Sequence, residues 1–132
     1  MNESIKLFCR YWCITICYML VIFFVSDTSS IPMASFFSKF DKLIHGFEYT
    51  ILAFLAFRSF YNFSIINKDI VSSFIAGAAL AILYGMTDEF HQSFVPGRHY
   101  DNYDLLADAL GAVFSILPVI IYLKIKKDHK SL

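Results

Sequence analysis

Four apolar stretches, each close to the length of a bilayer core, constrain this chain more than any other feature of its sequence. They run over about 7–25, 43–63, 70–87 and 105–123. A helix rises about 1.5 Å per residue, so about 20 apolar residues cross a hydrocarbon layer of about 30 Å. In lipid each backbone amide must find its partner within the protein, which makes a helix the natural form for such a stretch. Composition agrees: 58 % of the 132 residues are hydrophobic and 17 % charged, with a mean hydropathy of +0.58. Soluble domains sit nearer about half and about a quarter. The expected fold is all-α, an integral membrane four-helix bundle, built as a single domain over 1–132.

The charge balance narrows the function classes. Eleven basic and eleven acidic residues cancel, and no basic stripe suits a phosphodiester backbone, which argues against nucleic-acid binding. Cys9, Cys13 and Cys17 recur every four residues and share one helical face. Such a face could hold a soft metal, but free cysteines are more simply small buried hydrophobes. An odd count also argues against a disulfide framework. Lys6 and Arg10 ahead of an apolar run resemble the start of a signal peptide, yet "SDTSSIPMAS" offers only a poor small-x-small site, so the first stretch reads as a span. Asp27 to Ser30 then reads as the start of a loop, with Pro32 as a breaker.

Lysine and arginine orient the bundle. With both termini inside, one side carries Lys6, Arg10, Arg58, Lys68, Lys124, Lys126, Lys127 and Lys130, and the other only Lys39, Lys42 and Arg98. Eight against three favours N-in, C-in, with "KIKKDHKSL" as a cytoplasmic tail against anionic lipid. Gly77, Ala78 and Ala79 in the third stretch are small enough for close helix contact, and Pro118 is a candidate kink in the fourth.

Ionisable groups gather at the opposite end. In "FDKLIHGFEYTIL", Asp41, His45, Glu48 and Tyr49 fall on one arc of a helix. In "YGMTDEFHQ", Tyr84, Asp88, His91 and Gln92 share a face, with Glu89 about 100° from Asp88. After the Pro96-Gly97 turn and Arg98, Asp101, Asp104 and Asp108 stack along the start of the last span. This predicts an extracytoplasmic polar cluster at the helix ends. Crowded carboxylates repel unless a proton, an arginine or a cation compensates, and a hard divalent ion such as Mg or Ca accepts several carboxylate oxygens. Plainer readings compete: His45 as a neutral, locally satisfied histidine, Glu89 as a solvated rim charge, Asp101 as a helix cap, Arg98 as the partner of a nearby acid. Asp88, Asp104 and Asp108 are hardest to assign to packing.

These residues resemble the VanZ family of small bacterial membrane proteins. The resemblance rests on "DK..H...Y" (Asp41-Lys42, His45, Tyr49) and on a longer pattern through Asp88-Glu89, Gln92, Phe94, Pro96-Gly97-Arg98, Asp101, Asp104, Ala107 and Gly111. "SDTSSIP" resembles the family's stretch after the first span more weakly. Two departures stand out: Asp108, where the family usually has asparagine, and Ser115, where it usually has a second glycine. The resemblance implies a polytopic inner-membrane protein of the cell envelope with a link to resistance against the glycopeptide teicoplanin.

Three functions fit. In the first, an outward polar pocket engages an anionic headgroup, of a phospholipid or a lipid-linked cell-wall precursor. Its ligand-binding candidates are Asp41, His45, Tyr49, Asp88, Glu89, Gln92, Arg98, Asp104 and Asp108. Arg98 meets the phosphate, while Asp88, Asp104 and Asp108 hold a bridging divalent cation. In the second, a metal-dependent lipid-phosphate transferase or hydrolase uses His45 or Glu48 as general base. In the third, the cluster is a structural clamp and function lies in helix contact with a protein partner. A transporter fits poorly, because the mid-depth of the spans shows little polarity.

Overall fold

The computed structural model describes residues 2–27, 40–63 and 69–129, and no strand occurs among them. The helices are α1 (Glu3–Ser26), α2 (Asp41–Asn62), α3 (Ile70–Gln92), α4 (Asn102–Phe114) and α5 (Ile116–Asp128). Three start on side-chain caps of the expected type. Asn2 accepts from the Ser4 amide, Asp69 from Ser72 at 2.6 Å and Asp101 from Tyr103 at 2.8 Å. Asp101 therefore is the cap that its position suggested.

α4 and α5 form one stretch of 27 residues interrupted at Ser115. Pro118 has no amide hydrogen, so the Phe114 carbonyl loses its helical donor there. The Ser115 hydroxyl bonds the Ala112 carbonyl at 2.7 Å beside the break. The proline effect expected in the fourth span thus falls one turn before the proline itself.

Consecutive spans run antiparallel, so α2 and the α4–α5 stretch run parallel where they pack. Phe8 of α1 meets Phe63 just past α2, and Trp12 meets Phe60. At the other end of α1, Phe23 faces His91 of α3. Lys42 of α2 reaches Asp104 of α4 at that same end, while Asn62 bonds Lys126 of α5 at the opposite one. The start of α1 and the end of α5 therefore leave the bundle together, at the end remote from the carboxylates.

α1, α3 and the α4–α5 stretch are long and apolar enough to cross a membrane; α2 is not. The sequence suggested four such spans, and the packing explains the difference. α2 is the central helix and packs on every other one. Its Tyr49, Leu52, Ala53, Ala56, Phe57 and Ser59 are buried, so much of its surface meets protein rather than lipid. At 22 residues it is still about 33 Å long.

The outside is greasier than the inside. Phe24, Val71, Leu83, Phe90, Phe114 and Ile121 are all exposed, while the interior is rich in alanine, serine and glycine. That distribution suits a lipid surround, where close backbone approach rather than a hydrophobic core drives helix contact. On α3 the buried row is Ser73, Gly77, Ala81 and Gly85, one residue per turn. A Cβ on Gly77 would lie 2.7 Å from the Phe57 amide nitrogen and 2.9 Å from the Ala53 carbonyl oxygen, so only glycine fits. The cysteines contradict the expectation of burial. Cys9 and Cys17 are exposed, Cys13 is half-buried, and all three are free thiols. Their face turns away from α2 because Thr15 and Trp12 occupy the contact instead. Thr28 to Ser30, Pro32, Lys39, Lys68 and Lys130 lie outside the described residues.

Candidate functional site

Arg98 is placed by a turn that its neighbours dictate. Val95 is buried, and its carbonyl accepts the Arg98 amide at 3.1 Å across Pro96 and Gly97. Gly97 has φ 86°, which a type II turn requires at its third residue and which other residues resist. The turn brings the guanidinium over a cleft of about 70 Å³ lined by Ile22, Val25 and Ser26 of α1, Ile44, His45 and Glu48 of α2, and Asp88 and Gln92 of α3. Space of that size admits several waters or a small polar group. Arg98 Nη1 donates to Gln92 Oε1 at 3.2 Å, and Gln92 Nε2 donates to Asp88 Oδ2 at 2.9 Å. Among the described residues no carboxylate comes within ion-pair reach of Arg98.

A second cation serves a different purpose. Lys42 Nζ pairs with Asp101 Oδ2 at 2.6 Å and also with Asp104 Oδ1. It bolts the start of α2 to the start of α4. The Asp101 amide in turn donates to Glu89 Oε2 at 3.0 Å, which ties in the end of α3. The Lys42 ammonium and the Tyr103 amide hold the Asp101 carboxyl below its usual 3.8. A carboxylate with a lowered folded-state pKa stabilises the fold above about pH 4, and that contribution fades as pH falls through the lowered value. The acid-induced loss of thermal stability between about pH 5 and pH 3 should therefore be smaller in Asp101→Asn than in the parent, read by melting in detergent.

Beneath the cleft lies a buried floor. His45 Nδ1 contacts Asp108 Oδ1 at 3.0 Å, and the Tyr49 ring lies parallel to the imidazole with centroids 6.5 Å apart. Glu89, Asp108 and Tyr49 are completely buried, and His45, Asp88 and Gln92 nearly so. Gly85 opens the room: a Cβ there would stand 2.8 Å from Asp108 Oδ2 and 3.1 Å from the Tyr49 ring. Asp88 Oδ1, Glu89 Oε1, Asp108 Oδ2 and the Tyr49 hydroxyl are buried with no hydrogen-bond partner among the described residues. Donor atoms of His45, Glu89 and Asp108 converge within 4.8 Å of one another.

The VanZ/LLP1 family model matches residues 8–124. The chain belongs to the VanZ/LLP1 family. No curated protein and no solved structure matches it.

Most residues singled out in this VanZ/LLP1 sequence meet at one end of the bundle. His45, Glu48, Asp88, Gln92 and Arg98 line the cleft; Tyr49, Glu89 and Asp108 lie beneath it. The Asp41 side chain lies outside the described residues, although α2 begins at that position. Glu89 departs from the rim reading, because it points between α3 and α4 and accepts the Asp101 amide. The expected trio of Asp88, Asp104 and Asp108 is divided: Lys42 holds Asp104, Gln92 holds Asp88, and Asp108 faces His45. Lys42 itself was legible as an outer-side charge and as part of the "DK" pair, but its two aspartates, 59 and 62 residues away, gave no local signal. Gly46, Thr50 and Gly85 drew no attention in sequence and Gly111 entered only as the last residue of the longer pattern, since close backbone approach leaves no mark beyond a small residue.

Proposed function

We propose that this VanZ/LLP1 protein is a multi-pass cytoplasmic-membrane protein that engages an anionic lipid headgroup, of a phospholipid or a lipid-linked cell-wall precursor, through the Arg98 cleft. The observation that carries this is Arg98 itself. The cleft is lined by acids such as Glu48 and Asp88, yet among the described residues this guanidinium sits at its mouth bonded to Gln92, with no carboxylate within ion-pair distance. A guanidinium held by a rigid turn beside a small recess suits a phosphate oxygen pair. The cleft lies level with Val25 and Ser26, at the last turn of an apolar helix, which is where headgroups begin.

In this reading the polar end faces outward and both termini lie in the cytoplasm. The lysine and arginine bias supports that orientation, and the start of α1 and the end of α5 share the face opposite the polar end. The family resemblance adds a role in glycopeptide resistance of the teicoplanin type. The test is lipid retention by the purified protein, using vesicles of phosphatidylglycerol against phosphatidylcholine. Arg98→Ala should weaken retention of the anionic lipid at least tenfold, a loss of about 1.4 kcal/mol, and should lower any teicoplanin protection that the parent gives to a host strain. Equal retention by parent and variant would sink the reading. The Lys42 network favours a second one, in which the polar end is only a clamp. A drop in Arg98→Ala abundance, with lipid retained by the protein that survives, would support that instead.

A further inference from the structure

We propose that His45, Glu89 and Asp108 form a binding site for one first-row divalent metal ion of the Mn²⁺ and Zn²⁺ class, on the floor beneath the Arg98 cleft. The site shares the polar end with the headgroup reading but does not depend on it.

The first observation is geometric. One donor atom from each side chain lies within 4.8 Å of the other two. Ligands about 2.0–2.2 Å from a single ion stand about 3–4.4 Å apart, so a small side-chain adjustment closes the set. His45 Nδ1 and Asp108 Oδ1, at 3.0 Å, already hold the spacing of neighbouring ligands. Three different helices supply the trio, since His45 is on α2, Glu89 on α3 and Asp108 on α4.

The second observation is independent of the first. Glu89 and Asp108 are wholly buried, and each keeps one oxygen, Oε1 and Oδ2, with no hydrogen-bond partner among the described residues. A buried carboxylate oxygen without a partner costs several kcal/mol on the order-of-magnitude scale for polar burial. Among the described residues, neither Lys42 nor Arg98 relieves it. Lys42 is engaged by Asp101 and Asp104, and Arg98 by Gln92. Two carboxylates and a neutral imidazole balance one divalent ion.

Donor chemistry selects the ion. Mg²⁺ and Ca²⁺ favour all-oxygen shells. A nitrogen donor with two carboxylates suits Zn²⁺ or Mn²⁺. Mn²⁺ is the better probe, because Cys9, Cys13 and Cys17 would compete for Zn²⁺.

The experiment uses the full chain in detergent, stripped with chelator and titrated with Mn²⁺, with free Mn²⁺ read by electron paramagnetic resonance. The parent should bind one equivalent, keep it in tenfold excess Mg²⁺, and melt at a higher temperature with it. Glu89→Gln and Asp108→Asn should each weaken binding at least tenfold, and His45→Gln should weaken it too. Arg98→Ala should bind Mn²⁺ as the parent does, so that loss of headgroup binding and loss of metal binding are separable. A folded parent that binds no stoichiometric Mn²⁺ overturns the proposal, and that outcome does not depend on any variant folding. Undiminished binding by Glu89→Gln and Asp108→Asn overturns it equally, by assigning the ion to other acids.

Discussion

Replacing Gly111 by alanine is expected to remove most folded protein from the membrane, although a single methyl group is added. Gly111 of α4 lies directly against Gly46 of α2. A Cβ at Gly111 would land on the Gly46 carbonyl oxygen and stand 2.8 Å from its carbonyl carbon. Both obstacles are backbone, so no rotamer change relieves them. The Thr50 hydroxyl locks the same crossing, bonding the Gly46 carbonyl at 2.7 Å and the Gly111 carbonyl at 2.8 Å. To admit the methyl group the helices must separate, and this contact is one that positions Asp104 and Asp108 against Lys42 and His45. The cost should be about 3 kcal/mol or more, beyond ordinary overpacking. Gly46→Ala is the matched control. Its Cβ would meet only the Ala107 carbonyl oxygen at 3.5 Å, an ordinary contact, so it should express and melt near the parent. Membrane abundance and detergent melting of the two variants decide the matter. Equal behaviour would mean that α2 and α4 do not cross at these glycines.

How much of this could be read before folding differs by level. The apolar stretches mark α1, α3 and the α4–α5 stretch because lipid contact writes itself along a segment. α2 was legible as a helix through its apolar stretch and the spacing of Asp41, His45, Glu48 and Tyr49, but its central place was not, since burial by three neighbours is a property of the assembly. The convergence of polar groups followed from periodicity and from the antiparallel order of the spans. Their pairing did not. Asp88, Asp104 and Asp108 look alike in sequence, yet one answers to Gln92, one to Lys42 and one to His45. Those choices depend on helix rotation of a few tens of degrees, below what spacing can resolve. Glu89 shows the same limit, because the gap between rim and interior is one step around α3. The Gly46–Gly111 crossing was invisible for a different reason: its signal is the absence of a side chain.

Lys42→Met should be the most costly charge removal at the polar end, and the cost should fall on Asp104 rather than Asp101. Asp101 remains 38 % exposed and can turn to water, whereas the Asp104 side chain is only 9 % exposed and has no such escape. Breaking a fully buried pair costs about 3–5 kcal/mol, because one charge is stranded; an exposed pair contributes about 0–1. Lys42 is itself 47 % exposed, so the expected loss lies between, at about 2 kcal/mol. If the stranded Asp104 charge is the cause, Asp104→Asn in the Lys42→Met background should recover much of the loss, while Asp101→Asn should recover little. A double-mutant cycle read by detergent melting separates these contributions. Additive effects of Lys42→Met and Asp104→Asn would show that the two side chains do not act as a pair. The link from α2 to α4 would then rest on the glycine crossing and the His45–Asp108 contact. Coupling of more than about 1 kcal/mol would instead make Lys42 a strut of the polar end. Arg98 would then be the basic side chain there that, among the described residues, no carboxylate holds within ion-pair distance.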